Sequence, residues 1–360
     1  MNKIFQVVER ISNESGGLRT AVVNLVNYIN TQIGFSSNVI TTGKEMQDPY
    51  VEFTSKTFGF WCYSSALKEY LLSNTKNVDL IHVHGIFLYP QYISSIIAQK
   101  NNIPYLITTH GMLEPWYLND KKLKKAVYLT LVLKDILKKA KILHAITPSE
   151  KENLFKLTGH KNIIEIPNFI HFSEIPLLPP YNPIEEYLLY LGRIHQGKGL
   201  DILLKSFAKI DDKKIKLKIV GSENDYSEEL KKMSKDLNIE NRIEFTGGVY
   251  GNEKYHLFSN AKAFVAPSYS EAIGMVNLEA AACKTPVITS FNTGINPNWN
   301  SNGGIMINTN IEELVKALNE SVSWSTEERN QRGVTLSNYV ENNYSWKKNG
   351  RLWNDLYNSL

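Results

Sequence analysis

Short apolar runs alternate with amphipathic helical runs along almost the whole chain, and the alternation starts twice. In the first passage, strands are read at Lys3–Glu9, Ser37–Thr41, Val78–Val83, Tyr105–Thr108, Ile142–Ile146 and Ile163–Ile166. Helices are read at about Leu18–Ile33, Tyr92–Lys100, Lys121–Ala140 and Ser149–Leu157. Strand–helix alternation favours a parallel sheet covered on both faces, because each parallel crossover needs a helix to return the chain. Ile175–Ile184 (IPLLPPYNPI) then holds four of the chain's 13 prolines. Proline lacks a backbone donor and restrains its neighbour, so this stretch is read as a stiff linker. Beyond it the alternation resumes: strand Tyr187–Leu191, helix Leu200–Ile210, strand Ile215–Val220, helix Ser227–Asn238, strand Arg242–Phe245 and helix Glu253–Ser259. The expectation is two doubly wound, Rossmann-like α/β domains facing across a cleft. The boundaries are 1–172, a linker at 173–184 and 185–344, with a closing helix at about 345–360 packing back on the first domain. Open α/β sheets take ligands beyond the carboxyl ends of their strands, which directs attention to the loops there.

The bulk numbers exclude several classes. A net charge of +4 in 360 residues gives no argument for nucleic acid. No run of 18 or more apolar residues is present, so no membrane-spanning helix is indicated. The start, MNKIFQVVER, enters a strand directly and has no secretory pattern. The two cysteines, Cys62 and Cys283, stand far apart and support neither a disulfide framework nor a zinc site, which fits a cytoplasmic setting.

Three stretches carry candidate chemistry. Ala261–Thr289 reads as strand Ala263–Pro267, loop Ser268–Gly274, helix Met275–Cys283 and strand Val287–Thr289, with Glu271 and Glu279 eight residues apart. Gly274 enters the helix, and a helix N-terminus suits phosphate while a neighbouring carboxylate can accept from sugar hydroxyls. Gly192–Gly199 (GRIHQGKG) follows the first strand of the second domain. Its G-x-x-x-x-G-K pattern lacks the following Ser or Thr of a magnesium-binding phosphate loop, since Gly199 stands there. Arg193 and Lys198 can instead neutralise a diphosphate directly. Gly16 and Gly17 close the loop after the chain's first strand, where backbone can approach a phosphate. Neither domain begins with G-x-G-x-x-G, which disfavours a dinucleotide dehydrogenase.

Together, Arg193-x4-Lys198, Glu271-x7-Glu279 and the early Gly-Gly loop closely resemble the retaining nucleotide-sugar glycosyltransferases of family four, which have the GT-B fold. His110–Trp116 (HGMLEPW) is similar to the variant of the bacterial surface-polysaccharide enzymes. The resemblance implies that Arg193 and Lys198 bind the donor diphosphate and stabilise the leaving group. Glu271 would hold donor-sugar hydroxyls with backbone N–H groups around Ile273, Gly274 and Met275. Glu279 would accept from the ribose, Gly16 and Gly17 would close over the phosphates, and His110 would sit over the donor sugar. Gly221 with its neighbours Val220 and Ser222, and Arg242 with Ile243, would flank the base, and Asn168 matches a family position at the end of the first domain. His84, Glu114 and Trp116 are candidate acceptor contacts, although a structural role is open for His82 and His84. The sequence departs from the pattern at Ala272-Ile273, Lys284-Thr285 and Phe169–His171, which bears on the sugar bound.

The expected reaction transfers a sugar from a nucleotide-diphosphate sugar to a glycan or polyprenyl-diphosphate-linked acceptor in O-antigen, capsule or exopolysaccharide assembly. No carboxylate stands out as a nucleophile for double displacement, so front-face substitution with retention is expected. No Asp-x-Asp element stands in a metal-binding context, so neither a cofactor nor a divalent metal is expected. The rivals are a GT-B nucleotide-sugar epimerase, a small-molecule glycosyltransferase and a nucleotide-sugar-binding regulator without turnover. Asn119–Lys141 carries eight lysines against two aspartates around an apolar centre, AVYLTLVL. Such a segment is either a core helix with solvated lysines or a contact with the anionic inner face of the cytoplasmic membrane.

Overall fold

The computed structural model of the chain describes residues 2–12, 15–42, 49–119 and 122–360. The chain divides into two compact units, one of Met1–Phe169 with Trp346–Leu360 and one of Ile170–Ser345.

The first unit is built on a seven-stranded sheet: β1 Asn2–Val7, β2 Phe35–Ile40, β3 Val51–Phe53, β4 Leu80–His84, β5 Tyr105–Thr108, β6 Ile142–Ala145 and β7 Ile163–Glu165. Their order is β3-β2-β1-β4-β5-β6-β7, and every pairing is parallel. β4, β5 and β6 are buried along their whole length, as strands covered on both faces must be. The helices that cover them carry local stop and start signals. Thr147 caps the helix Pro148–Thr158 by accepting from the Glu150 N–H, and Gly159 ends it in the left-handed region.

The second unit repeats the scheme with β8 Tyr187–Leu191, β9 Lys216–Val220, β10 Ile243–Gly247, β11 Ala263–Ala266, β12 Val287–Ser290 and β13 Ile305–Ile307. The order is β10-β9-β8-β11-β12-β13, again parallel throughout. Both sheets reverse strand order once, beside β1 and beside β8, which are the topological switch points where such sheets bind ligands.

Several expectations change in detail. The proline-rich stretch, read as a stiff linker, packs on the second unit. Ile175 and Leu178 pack on the core of the second unit, and the buried Tyr181 ring lies 4.1 Å beneath the Arg329 guanidinium. The helix expected over Lys121–Ala140 runs without interruption from Lys122 to Lys139 but includes a π-helical turn at Leu129–Leu133, and Asp120 and Lys121 lie outside the described residues. Two helices, Ile311–Ser323 and Thr326–Tyr344, precede the closing helix Trp346–Asn358. That closing helix buries Trp353, Leu356 and Tyr357 against Ile4, Leu25, Tyr28 and Ile29 of the first unit. Each such side chain contributes about 1.5–3 kcal/mol.

Candidate functional site

In the second unit, the loops leaving β8 and β11 lie side by side at the switch point. The Tyr269 N–H donates to the Gly197 carbonyl at 3.0 Å. Gly199 has φ +69°, and a Cβ there would fall 2.1 Å from the Pro267 carbonyl oxygen, so only glycine lets these loops approach. This packing joins Lys198 and Glu271: Lys198 Nζ donates to Glu271 Oε1, and the Ser268 hydroxyl donates to Glu271 Oε2 at 3.2 Å. The Glu271 N–H is anchored on the Asn292 carbonyl at 2.9 Å. Arg193 is exposed in the loop leaving β8, its carbonyl held by the buried Tyr190 hydroxyl at 2.7 Å. Burial pushes that phenol far above its usual pKa, so it stays a neutral donor.

The helix Met275–Ala282 starts at Gly274 without a side-chain cap. A Cβ at Gly274 would meet Asn277 Nδ2 at 2.5 Å and Glu271 Oε2 at 3.0 Å, so glycine keeps the helix entrance clear. Ile273 and Met275 turn their side chains into the core, which leaves their backbone as what they can present. Glu279 is buried in the same helix and paired with Lys254 at 2.9 Å, a partner no sequence motif marked.

The base-side residues divide. Gly221 lies at the carboxyl end of β9, its N–H donating to the Gly247 carbonyl at 2.9 Å, and a Cβ there would fall 2.2 Å from the Gly192 carbonyl oxygen. It therefore belongs to the Lys198–Glu271 edge. Arg242 and Ile243 do not. Arg242 ends a short turn and Ile243 opens β10, at the amino edge of the sheet, where Arg242 donates to the Asp212 carbonyl at 2.8 Å and stacks 4.4 Å from the Phe207 centroid. The opposite end of β10 leads instead to Tyr250, an exposed aromatic whose hydroxyl lies 3.4 Å from that of Ser222.

The first unit gathers four histidines at the carboxyl ends of β4, β5 and β6. His84 Nδ1 meets His110 Nε2 at 3.0 Å, and His84 Nε2 meets Gln6 Oε1 at 2.8 Å. His82 reaches the Tyr357 hydroxyl at 2.7 Å through Nδ1 and the Thr108 hydroxyl at 2.7 Å through Nε2. Thr108 continues to His144 Nδ1 at 2.9 Å, and His144 Nε2 faces the Ile166 carbonyl at 2.9 Å. Burial, reinforced by neighbouring histidines, holds His82 and His84 well below the usual histidine pKa and His110 at about 3. Burial holds His144 at about 4, against the opposing pull of the Ile166 carbonyl. All four are neutral at pH 7. A small cavity of about 10 Å³ is lined by His84, His110, His144 and Asn168 among others, so Asn168 joins this group.

His110 stands at φ +51°, an uncommon backbone for a side chain. The turn is held by Glu150, buried behind it, whose Oε1 accepts from the Gly111 N–H at 2.6 Å and from the Thr109 hydroxyl, and whose Oε2 accepts from the Ile146 N–H at 2.8 Å. Sequence pattern gave no signal for Glu150, which is one of many glutamates on a helix. His84 is not an open acceptor contact as expected, because the protein engages both its ring nitrogens. Glu114 accepts from Asn153 Nδ2 at 2.9 Å, and Trp116 is exposed on the next helix; neither touches the histidine group. Gly16, at φ +57° with open space around it, starts the helix Gly17–Asn30 without a side-chain cap. Among the described residues, no three His, Cys, Asp or Glu side chains are grouped to hold a metal ion.

Two family models match the chain: Glycosyltransferase Family 4 over residues 15–174 and Glycosyl transferases group 1 over residues 180–334. The O-antigen chain mannosyltransferase RfbU of Salmonella typhimurium is 29% identical over 237 residues, 61% of this chain and 65% of that protein. The alpha-monoglucosyldiacylglycerol synthase of Streptococcus pneumoniae is 26% identical over 267 residues, 69% of this chain and 59% of that protein. The chain thus spans 65% and 59% of the length of these two curated relatives. Among solved structures, Anabaena HepE in complex with UDP and glucose superimposes with a TM-score of 0.81 at 16% identity, covering 100% of both chains. Sucrose-phosphate synthase from Thermosynechococcus elongatus gives 0.78 at 20% identity, also over 100% of both. At these identities the superpositions speak for the fold alone.

Proposed function

Because the chain belongs to the family-four glycosyltransferases of the GT-B fold, we propose that it transfers a sugar, with retention, from a nucleotide-diphosphate sugar to a glycan acceptor in bacterial surface-polysaccharide assembly. The observation that carries this reading is the Lys198–Glu271 pair at the switch point of the second unit, with Arg193 exposed in the same loop as Lys198. A cation and a carboxylate held together by two glycine-dependent loops suit the two halves of one ligand: diphosphate at Arg193 and Lys198, sugar hydroxyls at Glu271. The uncapped entrance of the helix at Gly274 adds backbone donors and a positive dipole end. Gly16 and Gly17 offer the same kind of entrance in the first unit. Glu279 is read as the acceptor for the ribose hydroxyls, held in place by its pairing with Lys254.

In the reaction we envisage, the bond between the anomeric carbon and the phosphate oxygen breaks while the acceptor oxygen bonds to that carbon on the same face. The acceptor proton passes to the departing phosphate oxygen. Arg193 and Lys198 neutralise the charge that develops on the diphosphate, which is the task assigned elsewhere to a divalent cation. Activity is accordingly expected to persist in EDTA.

The name of the Salmonella relative points to O-antigen and that of the Streptococcus relative to a glycolipid product. Both suit an acceptor anchored in a membrane. Leu123, Val127 and Leu131 are exposed by 84%, 57% and 76% at four-residue spacing, with Lys124 and Lys134 exposed nearby. We read this face as the contact with the anionic inner leaflet of the cytoplasmic membrane, the other face supplying Leu133, Ile136 and Leu137 to the core. Among the described residues, no helix is long and apolar enough to cross a membrane.

The test is a thermal-shift panel of nucleotides and nucleotide sugars with and without EDTA, followed by product analysis. A ligand that binds only the folded state raises Tm by mass action. One nucleotide family is expected to shift the protein, and Lys198→Ala to lower turnover about 10²–10³-fold. Near-normal turnover of that variant, or nucleotide release with an isomerised free sugar and no new glycoside, would overturn the reading.

A further inference from the structure

The histidine group forms one continuous chain of hydrogen bonds, and its direction is decided at one end. The Ile166 carbonyl can only accept. His144 is neutral, so its single ring proton must lie on Nε2, the nitrogen 2.9 Å from that carbonyl. His144 Nδ1 is then an acceptor, and the Thr108 hydroxyl donates to it. With its only proton committed, Thr108 can only accept from His82, which places the His82 proton on Nε2. His82 Nδ1 must in turn accept from the Tyr357 hydroxyl. The Tyr357 oxygen, having given its proton, accepts from Gln6 Nε2 at 3.1 Å. That orients the Gln6 amide, with its second N–H directed to the Ser37 hydroxyl at 3.0 Å, so Gln6 Oε1 faces His84. His84 therefore carries its proton on Nε2 and offers Nδ1 as an acceptor, which requires a proton on His110 Nε2.

The opposite direction fails at one point. If every donor and acceptor is reversed, His144 presents a lone pair to the Ile166 carbonyl oxygen at 2.9 Å, two acceptors face to face in a buried site. No other member of the chain breaks the tie, since hydroxyls, amides and neutral imidazoles all accept either direction after rotation or tautomer exchange.

We propose that the Ile166 carbonyl, acting through His144, Thr108, His82, Tyr357, Gln6 and His84, fixes the tautomer of His110 so that Nδ1 is left as a hydrogen-bond acceptor for a sugar hydroxyl. Gln6, Thr108 and Tyr357 are thereby positioning residues that do not touch His110. The sugar contact rests on the function proposed above; the tautomer does not. Two features agree with a positioned ring: Glu150 holds the turn that carries His110, and the small cavity between His110, His144 and Asn168 leaves little space for the ring to move.

The experiment is a long-range ¹H–¹⁵N correlation spectrum of the full chain labelled at histidine, recorded at pH 7.5, with His110 assigned by loss of its signals in His110→Asn. His110 is expected to show its proton on Nε2 and a bare Nδ1; a proton on Nδ1, an averaged pair of signals or a doubly protonated ring would overturn the proposal. Tyr357→Phe frees the Gln6 amide to turn, and Thr108→Val cuts the chain from its carbonyl anchor. Both are expected to give His110 a second, Nδ1-protonated form and to lower turnover in proportion to its population. Two folded variants with the single wild-type tautomer would overturn the relay. A changed tautomer with unchanged turnover would keep the relay and overturn the sugar contact of His110.

Discussion

Arg242 is held by the fold on three sides, by the Phe207 ring and the carbonyls of Asp212 and Ile215. Its guanidinium closes the amino edge of the second sheet, where strands begin and no loop of the switch point arrives. Arg242→Ala should therefore act on stability rather than on ligand. Losing one stacked ring and hydrogen bonds to charged nitrogen costs about 1–3 kcal/mol. The measurement is Tm together with nucleotide affinity, and a lowered Tm with unchanged affinity is the expected pair. A weakened affinity at unchanged Tm would return Arg242 to the base site.

At the scale of elements, the strands were legible because full burial writes an unbroken apolar run, and the two switch-point loops because only glycine permits their contacts. Lys198 and Glu271 were found from their motif spacing and Gly274 from its place at the helix entrance, and the structure brings them together. What stayed hidden depends on partners distant in sequence. Lys254 is recognisable only from Glu279, Glu150 only from the turn at His110, and the role of His84 only from Gln6 and His110 on either side. Arg242 was misplaced because a strand seen as a run has no visible edge: whether a residue opens it or follows it decides which end of the sheet it serves. The lysine-rich segment was legible in composition but not in facing, since its π-helical turn at Leu129–Leu133 alters the phase of the helix. Its proposed membrane face gives a direct test. Replacing Leu123, Val127 and Leu131 together with Gln should reduce flotation with anionic liposomes severalfold, while far-ultraviolet circular dichroism stays as in the unaltered chain. Equal flotation would assign those three side chains to another surface.

For the whole molecule, burying neutral histidines ties stability to pH. The folded-state pKa values of His110 and His144, about 3 and about 4, lie below the unfolded value of about 6.5, so below pH 6.5 the unfolded chain binds more protons than the folded one. Their contribution is fully present above that pH and is lost as pH falls from about 6.5 towards the folded values. At pH 5.5 each loses about 1.4 kcal/mol, and His82 and His84 act in the same direction. Glu9 and Glu150, whose carboxyls burial pushes upward, work in the opposite sense. The midpoint of urea unfolding is therefore expected to fall between pH 7.5 and 5.5. An unchanged midpoint would mean that the histidines are charged or hydrated in the folded protein.

The first unit is completed by Trp346–Leu360, after the whole second unit has intervened in the chain. Gln6 and Tyr357, 351 positions apart, are direct partners. On the ribosome, the amino-terminal half emerges first yet must wait with Gln6, His82 and the apolar groove around Tyr28 uncovered until the closing helix is released. The second unit, continuous in sequence, has no such delay. Synthesis order and folding order are thus inverted: the part made first is the part finished last.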